Sequence, residues 1–560
     1  METMTAIWKE YQRGLDYFNA NGLFERCERS HQMVGANQWE GLKSGDERPA
    51  QLNILLPMLK SATAMVGQNT MSIRYSSLNY DTRQKERQEV CEKMNRHAAR
   101  LWERLKLDRY IWSVLQDAFI AGDAFLYFYD EGGQIKMEAI DTTNIMLADE
   151  QNPNIQEQPY ILIIQRRYVD EVRKEAKENG LSNAQIAAIL PDGDVTGQIG
   201  GELEVDNDQK LISLMKLWKE DGVVHCCRST RGVVYEPPRA IEGLSLYPVA
   251  QYSWRPQKGA ARGIGDIWDK IPNQLSINKN LYRFECAVKS SAFPHKVYNA
   301  GALEEGDIKK LSYPDSNIAV QDLTGGGVDK LIGYLQPASI SPYAKDIWQE
   351  IIVLTRELAG MGDNLENVDP ERATGAAINA AREARLFSVN AQVAGLKQFI
   401  EDIAFIWYDL WTAYHPGGLF VMVSKEGGEE GVETISQESL KELMVEVRID
   451  VSPSSPYSKL AQELALKELF TSGAIDFFEY VEALDEDSSL PKGKLLEIAQ
   501  RRKQAENQKA VKTIMELGKQ VERLQAENRR LKGEEEKNKA PRQEIMPLKG
   551  REKGGKTHVL

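Results

Sequence analysis

Two long helical stretches with a small turn-rich unit between them constrain this chain more than any other feature. GIGDIWDKIPNQLSINKNLYRFECAVKSSAF (263–293) predicts a helix of about eight turns, and Pro294 stops it. PYAKDIWQEIIVLTRELAG (342–360) predicts a second long helix. HKVYNAGALEEGDIKKLSYPDSNIAVQDLTGGGVDKLIGYL (295–335) lies between them, with strand-like pieces around one short helix. The expected object is a stalk with a knob on its end.

The first 260 residues predict a mixed α+β body. Residues 5–40 read as an amphipathic helical region, with Trp8, Tyr11, Leu15 and Phe18 at spacings of three and four. Residues 53–78 predict a helix running into a short strand at MSIRY. A long helical stretch over 84–120 is expected to turn at Gly122 into the strand FLYFY. A hairpin turn at Gly132-Gly133 and a second strand follow. Residues 160–168 and 212–236 add strands, with a helix near 169–189.

After the stalk comes MGDNLENVDPERATG (361–375), a polar loop with the acids Asp363, Glu366, Asp369 and Glu371 and no base before Arg372. The next forty residues hold no proline, so one unbroken helix about 60 Å long is expected. Its first half carries a small-residue face: Ala373, Ala376, Ala377, Ala380, Ala381 and Ala384. Such a face lets another helix approach closely, in the same chain or in a second copy. The second half carries a core stripe of Phe399, Ile403, Ile406, Trp407 and Leu410. Strands follow at 418–424 and 443–451, then two helices over 456–505 broken at Gly473. Ile514, Leu517, Val521, Leu524, Asn528 and Leu531 form a heptad seam with one polar position. Beyond Gly533 the charged, Pro- and Gly-bearing composition predicts disorder.

Bulk composition narrows the function classes. The net charge of −13 argues against a broad basic face gripping nucleic acid, but not against a ring that surrounds DNA without holding it. Five cysteines in 560 residues point to a reducing compartment. Cys27 with His31, and His225-Cys226-Cys227, are poorly spaced for zinc and read as structural. The opening METMTAIWKEYQRGL has Glu and Lys where a secretory signal needs an apolar run, and no uncharged run is long enough to span a bilayer. FIEDIAFIWYDLW (399–411) comes nearest, but its acids Glu401, Asp402 and Asp409 make it a buried soluble helix.

GREKGGKT (550–557) fits the P-loop pattern letter for letter. A working P-loop follows a buried strand and opens a helix. Here KNKAPRQEIMPLK precedes it, with two prolines, and three residues follow Thr557. The match is therefore read as tail composition. The last twenty residues hold five Lys or Arg against two Glu, a basic tail with access to packaged DNA as its expected role.

The order and texture of these elements resemble the portal proteins of tailed bacteriophages. The similarity covers most of residues 5–500 and rests on four stretches. These are NILLPMLKSATAMVGQNTMSIRY after the N-terminal helix, DAFIAGDAFLYFYDEGGQIKMEAIDTTNIML, the stalk helix with its knob, and ERATGAAINAAREARLFSVNAQVAGLKQFIEDIAFIW. The resemblance implies an α+β portal architecture. A mixed wing spans 1–262, stem helices 263–293 and 339–361 carry a small α/β clip at 294–338, and a tunnel loop occupies 362–373. A tunnel helix and wing return span 374–455, an α-helical crown with the heptad 456–533, and a tail 534–560.

By this resemblance the chain is a non-enzymatic subunit of a homo-oligomeric ring, a dodecamer, at one capsid vertex of a virion assembled in the host cytoplasm. Double-stranded DNA passes through its axis during packaging and ejection. Terminase, the major capsid or scaffolding protein, and head-completion or adaptor proteins are the implied partners; no cofactor, metal or membrane is. Asp363, Asn364, Glu366, Asn367, Asp369, Glu371, Arg372, Arg382 and Arg385 become the channel-lining candidates. Acids there repel phosphate and let DNA slide, while arginines add intermittent contacts. Lys296, Lys309, Lys310 and Lys330 become clip candidates for DNA or the partner ring. An ordinary solvated surface would carry the same charges. Two other classes compete: a P-loop ATPase of the packaging motor, resting on Lys556, and a coiled-coil adaptor, resting on the heptad.

Overall fold

The computed structural model describes residues 5–35, 37–39, 51–78, 83–192, 209–292, 296–298, 305–310, 332–334, 343–358, 389–424, 430–453, 466–483, 516–521 and 523–527. Two compact units divide at Pro453. Among the described residues no helix is long and apolar enough to cross a membrane.

The first unit is mixed helix and strand. Helix α1 (Ala6–Ala20) starts where the Thr5 hydroxyl accepts from the Trp8 N–H, and it buries Trp8, Tyr11 and Phe18. Gly22, at φ +61°, breaks the expected 5–40 helical region and starts α2 (Leu23–Val34). Helix α3 (Leu55–Gly67) leads into β1 (Asn69–Ser77), longer than the five residues expected. The helical stretch over 84–120 is two helices, α4 (Gln84–Leu105) and α5 (Leu107–Ala121). Lys106 between them adopts φ +52°, a left-handed break that composition did not signal. Strands β2 (Asp123–Glu131) and β3 (Gln134–Ile140) form the expected hairpin. Gly132 and Gly133 both hold positive φ, and the Asp130 carboxylate accepts from the Gly133 N–H.

Next come β4 (Ile145–Leu147), β5 (Tyr160–Tyr168), α6 (Val169–Glu178) and α7 (Asn183–Ala187), so the single helix expected near 169–189 is two. Strands β6 (Lys210–Glu220), β7 (Val223–Ser229) and β8 (Val234–Ala240) complete a five-stranded antiparallel sheet in the order β4-β5-β6-β7-β8. Strand β9 (Val249–Ser253) joins the hairpin in a three-stranded sheet, β3-β2-β9.

The stalk follows. Residues 263–267 are not helical; a 3-10 turn at Trp268–Lys270 opens α8 (Ile271–Ala292). The helix thus starts eight residues later than expected, because the glycine-rich lead-in is used for a backbone junction described below. At its far end β10 (Lys296–Tyr298), α9 (Glu305–Lys310) and β11 (Ile332–Tyr334) follow, with β10 and β11 paired antiparallel. Helix α10 (Tyr343–Leu358) returns along α8.

Helix α11 (Asn390–Tyr414) is the centre of the body. It buries Leu396, Phe399, Ile400, Ile403, Ile406, Trp407, Leu410 and Trp411, which include every residue of the expected core stripe. It begins at Asn390, because Val389 has left helical geometry (φ −117°, ψ 9°). The unbroken helix expected from 374 is therefore interrupted there, and the alanine face lies outside the described residues. Strands β12 (Leu419–Ser424) and β13 (Glu430–Ile435) pair, the short helix α12 (Gln437–Lys441) follows, and β14 (Val445–Pro453) pairs with β1 from Asn69↔Pro453 to Ser77↔Val445. Segments 368 to 384 positions apart are joined by that ladder, and Tyr75 donates to the Ala404 carbonyl at 2.9 Å.

In the second unit residues 466–471 are helical, Gly473 turns the chain at φ +75°, and α13 (Phe477–Glu482) starts from an Asp476–Glu479 capping box. The break expected at Gly473 is present. Tyr480 and Val481 bury against Leu466, Ile475 and Phe477.

Candidate functional site

The stalk is rooted in the body by a polar junction built from residues far apart in sequence. Asp123 opens β2 fully buried, and both its carboxylate oxygens accept from the Gly263 N–H at 3.0 Å. Ser253 and Gln251 on β9 donate to the same carboxylate. Burial pushes the Asp123 carboxyl up, while nearby Arg262 and these hydrogen bonds pull it back. Arg262, also buried, pairs with Glu150 at 3.1 Å and donates to the carbonyls of Thr142 and Ile145 at 2.8 and 2.6 Å. Its guanidinium lies over the rings of Phe18 and Phe125, 5.0 and 5.5 Å from their centroids. Every face of the charge is thus occupied, the condition under which a buried ion is tolerated.

Glycines make the junction possible. Gly122 caps α5 at φ +113°, and a Cβ there would stand 2.5 Å from the Gly263 carbonyl oxygen. A Cβ on Gly265 would run into the Ile120 carbonyl. The two backbones touch where side chains would hold them apart. Asp266 then donates its N–H to the Phe119 carbonyl at 2.7 Å. The Lys270 ammonium sits 2.9 Å from the Asp266 carboxylate as the 3-10 turn closes.

One turn further, α8 is locked by a buried amide ladder. Gln274 Oε1 accepts from the Ile54 N–H at 3.0 Å, and its Nε2 donates to the Leu52 carbonyl at 2.8 Å and to Asn278 Oδ1 at 3.0 Å. Asn278 Oδ1 also accepts from the Leu52 N–H at 3.2 Å, and its Nδ2 donates to Gln38 Oε1 at 2.6 Å. Gln38, Gln274 and Asn278 have no solvent exposure. On the returning helix the buried Thr355 accepts from Asn273 Nδ2 at 3.2 Å, which fixes the base of α10 to the base of α8.

Above Asn278 the stalk leaves the core. No residue from 279 to 292 is buried, although Tyr282 and Val288 are apolar. On α10, Tyr343, Ile347, Val353, Leu354 and Leu358 are exposed, Leu358 at 77%. The described part of this two-helix arm thus carries apolar side chains on solvent-facing sides.

The sequence-derived candidates divide by location. Lys296 lies on β10, and Lys309 and Lys310 are exposed on α9, so these three sit on the knob elements. Lys330 lies outside the described residues, as do Asp363, Asn364, Glu366, Asn367, Asp369, Glu371, Arg372, Arg382, Arg385 and the P-loop match at 550–557. Of the heptad, Leu517, Val521 and Leu524 are helical and exposed, while Ile514, Asn528 and Leu531 lie outside the described residues. Cys27, Cys91, Cys226 and Cys227 are buried, and burial pushes the Cys27, Cys91 and Cys226 thiols up to about 11. They pack as small apolar side chains. Among the described residues no group of three or more His, Cys, Asp or Glu is placed to hold a metal ion.

The stalk root was missed from sequence. Apart from the local Asp266–Lys270 and Gln274–Asn278 pairs, its partners lie 82 or more positions apart, and an amide in a helix carries no periodic signal. GIG after Arg262 was the legible hint: two glycines just ahead of a long helix mark a close backbone approach. No protein-family model matches the chain, and no curated protein matches it.

Proposed function

We propose that the chain is a subunit of a phage portal ring, a non-enzymatic channel through which double-stranded DNA enters and leaves a capsid. The observation that carries this reading is the stalk. Two helices leave a mixed body, end in a small αβ knob, and expose apolar residues that a neighbouring stalk would cover. A heterologous contact that repeats around an axis closes into a ring. The acid-rich stretch of sequence 361–375, with Asp363, Glu366, Asp369 and Glu371, supports a wall that repels phosphate. Terminase and head-completion proteins would dock on the knob. The virion is the proposed location.

Negative-stain electron microscopy of the purified chain, with native mass spectrometry on the same sample, tests it. Rings with an axial hole that admits a DNA duplex, and a mass of about twelve times 63.2 kDa, are expected. A stable rod-shaped dimer with no hole would sink the ring reading and favour the coiled-coil adaptor. Nucleotide turnover abolished by Lys556→Ala would favour the ATPase instead.

A further inference from the structure

A cleft of about 460 Å³ lies between α11 and the β9 strand, with Gln251 and Ser253 of the stalk junction along one side. Its walls include Ile155, Leu246, Val249, Tyr252, Phe399 and Phe405. Gly395 on α11 leaves the space open, since a Cβ there would meet nothing closer than the Tyr252 ring at 3.5 Å. Asp402, seven residues further along the helix, is the one charged residue among those described around the cleft. Its carboxylate accepts from Gln398 Nε2 at 3.1 Å, and no Lys or Arg among the described residues pairs with it. Burial, together with the neighbouring Glu401, pushes its carboxyl up. A half-buried carboxylate beside an apolar cleft, with no Lys or Arg paired to it among the described residues, leaves a place for a cationic group.

We propose that this cleft binds an amphipathic organic cation, an aliphatic or aromatic stem ending in an ammonium or guanidinium group. The stem lies along the partly exposed wall beside Leu246 and Phe405, and the cationic head meets Asp402. A free amine and a Lys or Arg side chain from another copy of the chain share this chemistry. The proposal does not depend on the ring reading; amine binding to the isolated chain survives if no ring forms.

The test is calorimetric titration of the full chain with phenethylammonium, using 2-phenylethanol as the neutral control. The amine is expected to bind at least about tenfold more tightly than the alcohol. Asp402→Asn is expected to erase that preference while the alcohol still binds. Gly395→Leu, which fills the space and leaves Asp402 in place, is expected to abolish binding of both, so the proposal stays testable if one variant fails to fold. Equal binding of amine and alcohol, a preference that survives Asp402→Asn, or no amine binding at about 10 mM would overturn it. Titration of monomer and assembled oligomer separates the sources. Loss of the site on assembly identifies a neighbour's side chain, and equal binding in both states identifies a free amine.

Discussion

Asn278→Ala removes the centre of the amide ladder at the stalk root, and its effect can be worked out bond by bond. The Leu52 N–H loses its acceptor and Gln38 Oε1 loses its donor, while Gln274 keeps the Leu52 carbonyl and the Ile54 N–H. Each buried polar group left without a partner costs about 1–3 kcal/mol. Gln38 Oε1 is fully buried, whereas water can reach the Leu52 N–H, so a loss of about 2 kcal/mol is expected. Urea denaturation reads the loss directly, and amide exchange locates it. The Leu52 N–H is expected to exchange about a hundredfold faster, whereas Ile54, still held by Gln274, changes less. Lys279→Ala, one residue along on the exposed side, serves as the control and should move stability by no more than about 0.5 kcal/mol. A variant at position 278 that behaves like that control would show that water replaces the ladder without loss, and the argument for a polar lock would fail.

Gly265→Ala drives a methyl into the Ile120 carbonyl and is expected to destabilise by about 3 kcal/mol in the same denaturation assay; a neutral result would mean the junction is loose. Arg262→Met leaves Glu150 and Asp123 buried without their cation, an expected loss of about 3–5 kcal/mol at pH 8. That loss should shrink toward pH 5, because a carboxyl whose folded pKa is raised destabilises the fold while it is charged and is relieved as it protonates; an equal loss at both pH values would contradict the assignment. His97 and Asp117 predict opposite slopes over nearly the same range. Burial first, then Arg104 and His415, lowers the His97 imidazole to about 4, so its contribution is present above its ordinary value of 6.5 and is lost as pH falls toward 4. Burial first, then Asp141, raises the Asp117 carboxyl to about 6, so its destabilising effect is relieved as pH falls through 6. Melting temperatures from pH 4 to 7 should therefore flatten at the acid end for His97→Gln and steepen there for Asp117→Asn, and identical profiles for the two variants would refute both.

What was legible in the sequence was local and periodic. The α11 stripe of Phe399, Ile403, Ile406, Trp407 and Leu410 reads at helical spacing and is buried. The Gly132-Gly133 hairpin was legible because its turn demands positive φ at both positions. Trp8, Tyr11 and Phe18 bury as their spacing implies. Breaks set by one residue in an unusual conformation were illegible, because Lys106 is an ordinary helix former that here sits at φ +52°. The start of α8 was misplaced for a related reason. The stretch from Gly263 to Ile267 runs directly into a helical pattern, but its two glycines serve a backbone junction that Asp123, Ile120 and Phe119 claim. Long-range closures such as β1 with β14 leave no trace in either segment alone.

The amide ladder also makes the stalk a lever. Apolar contacts hold two surfaces together but tolerate sliding, whereas hydrogen bonds between fixed amides are directional and tolerate little rotation. Beyond Asn278, α8 extends about 21 Å to Ala292. Over such an arm a tilt of about 5° moves the tip by about 2 Å, enough to break a hydrogen bond made there. The knob is thus aimed by three buried side chains, Gln38, Gln274 and Asn278, that never approach it, and a change at the root would be read as a displacement at the far end.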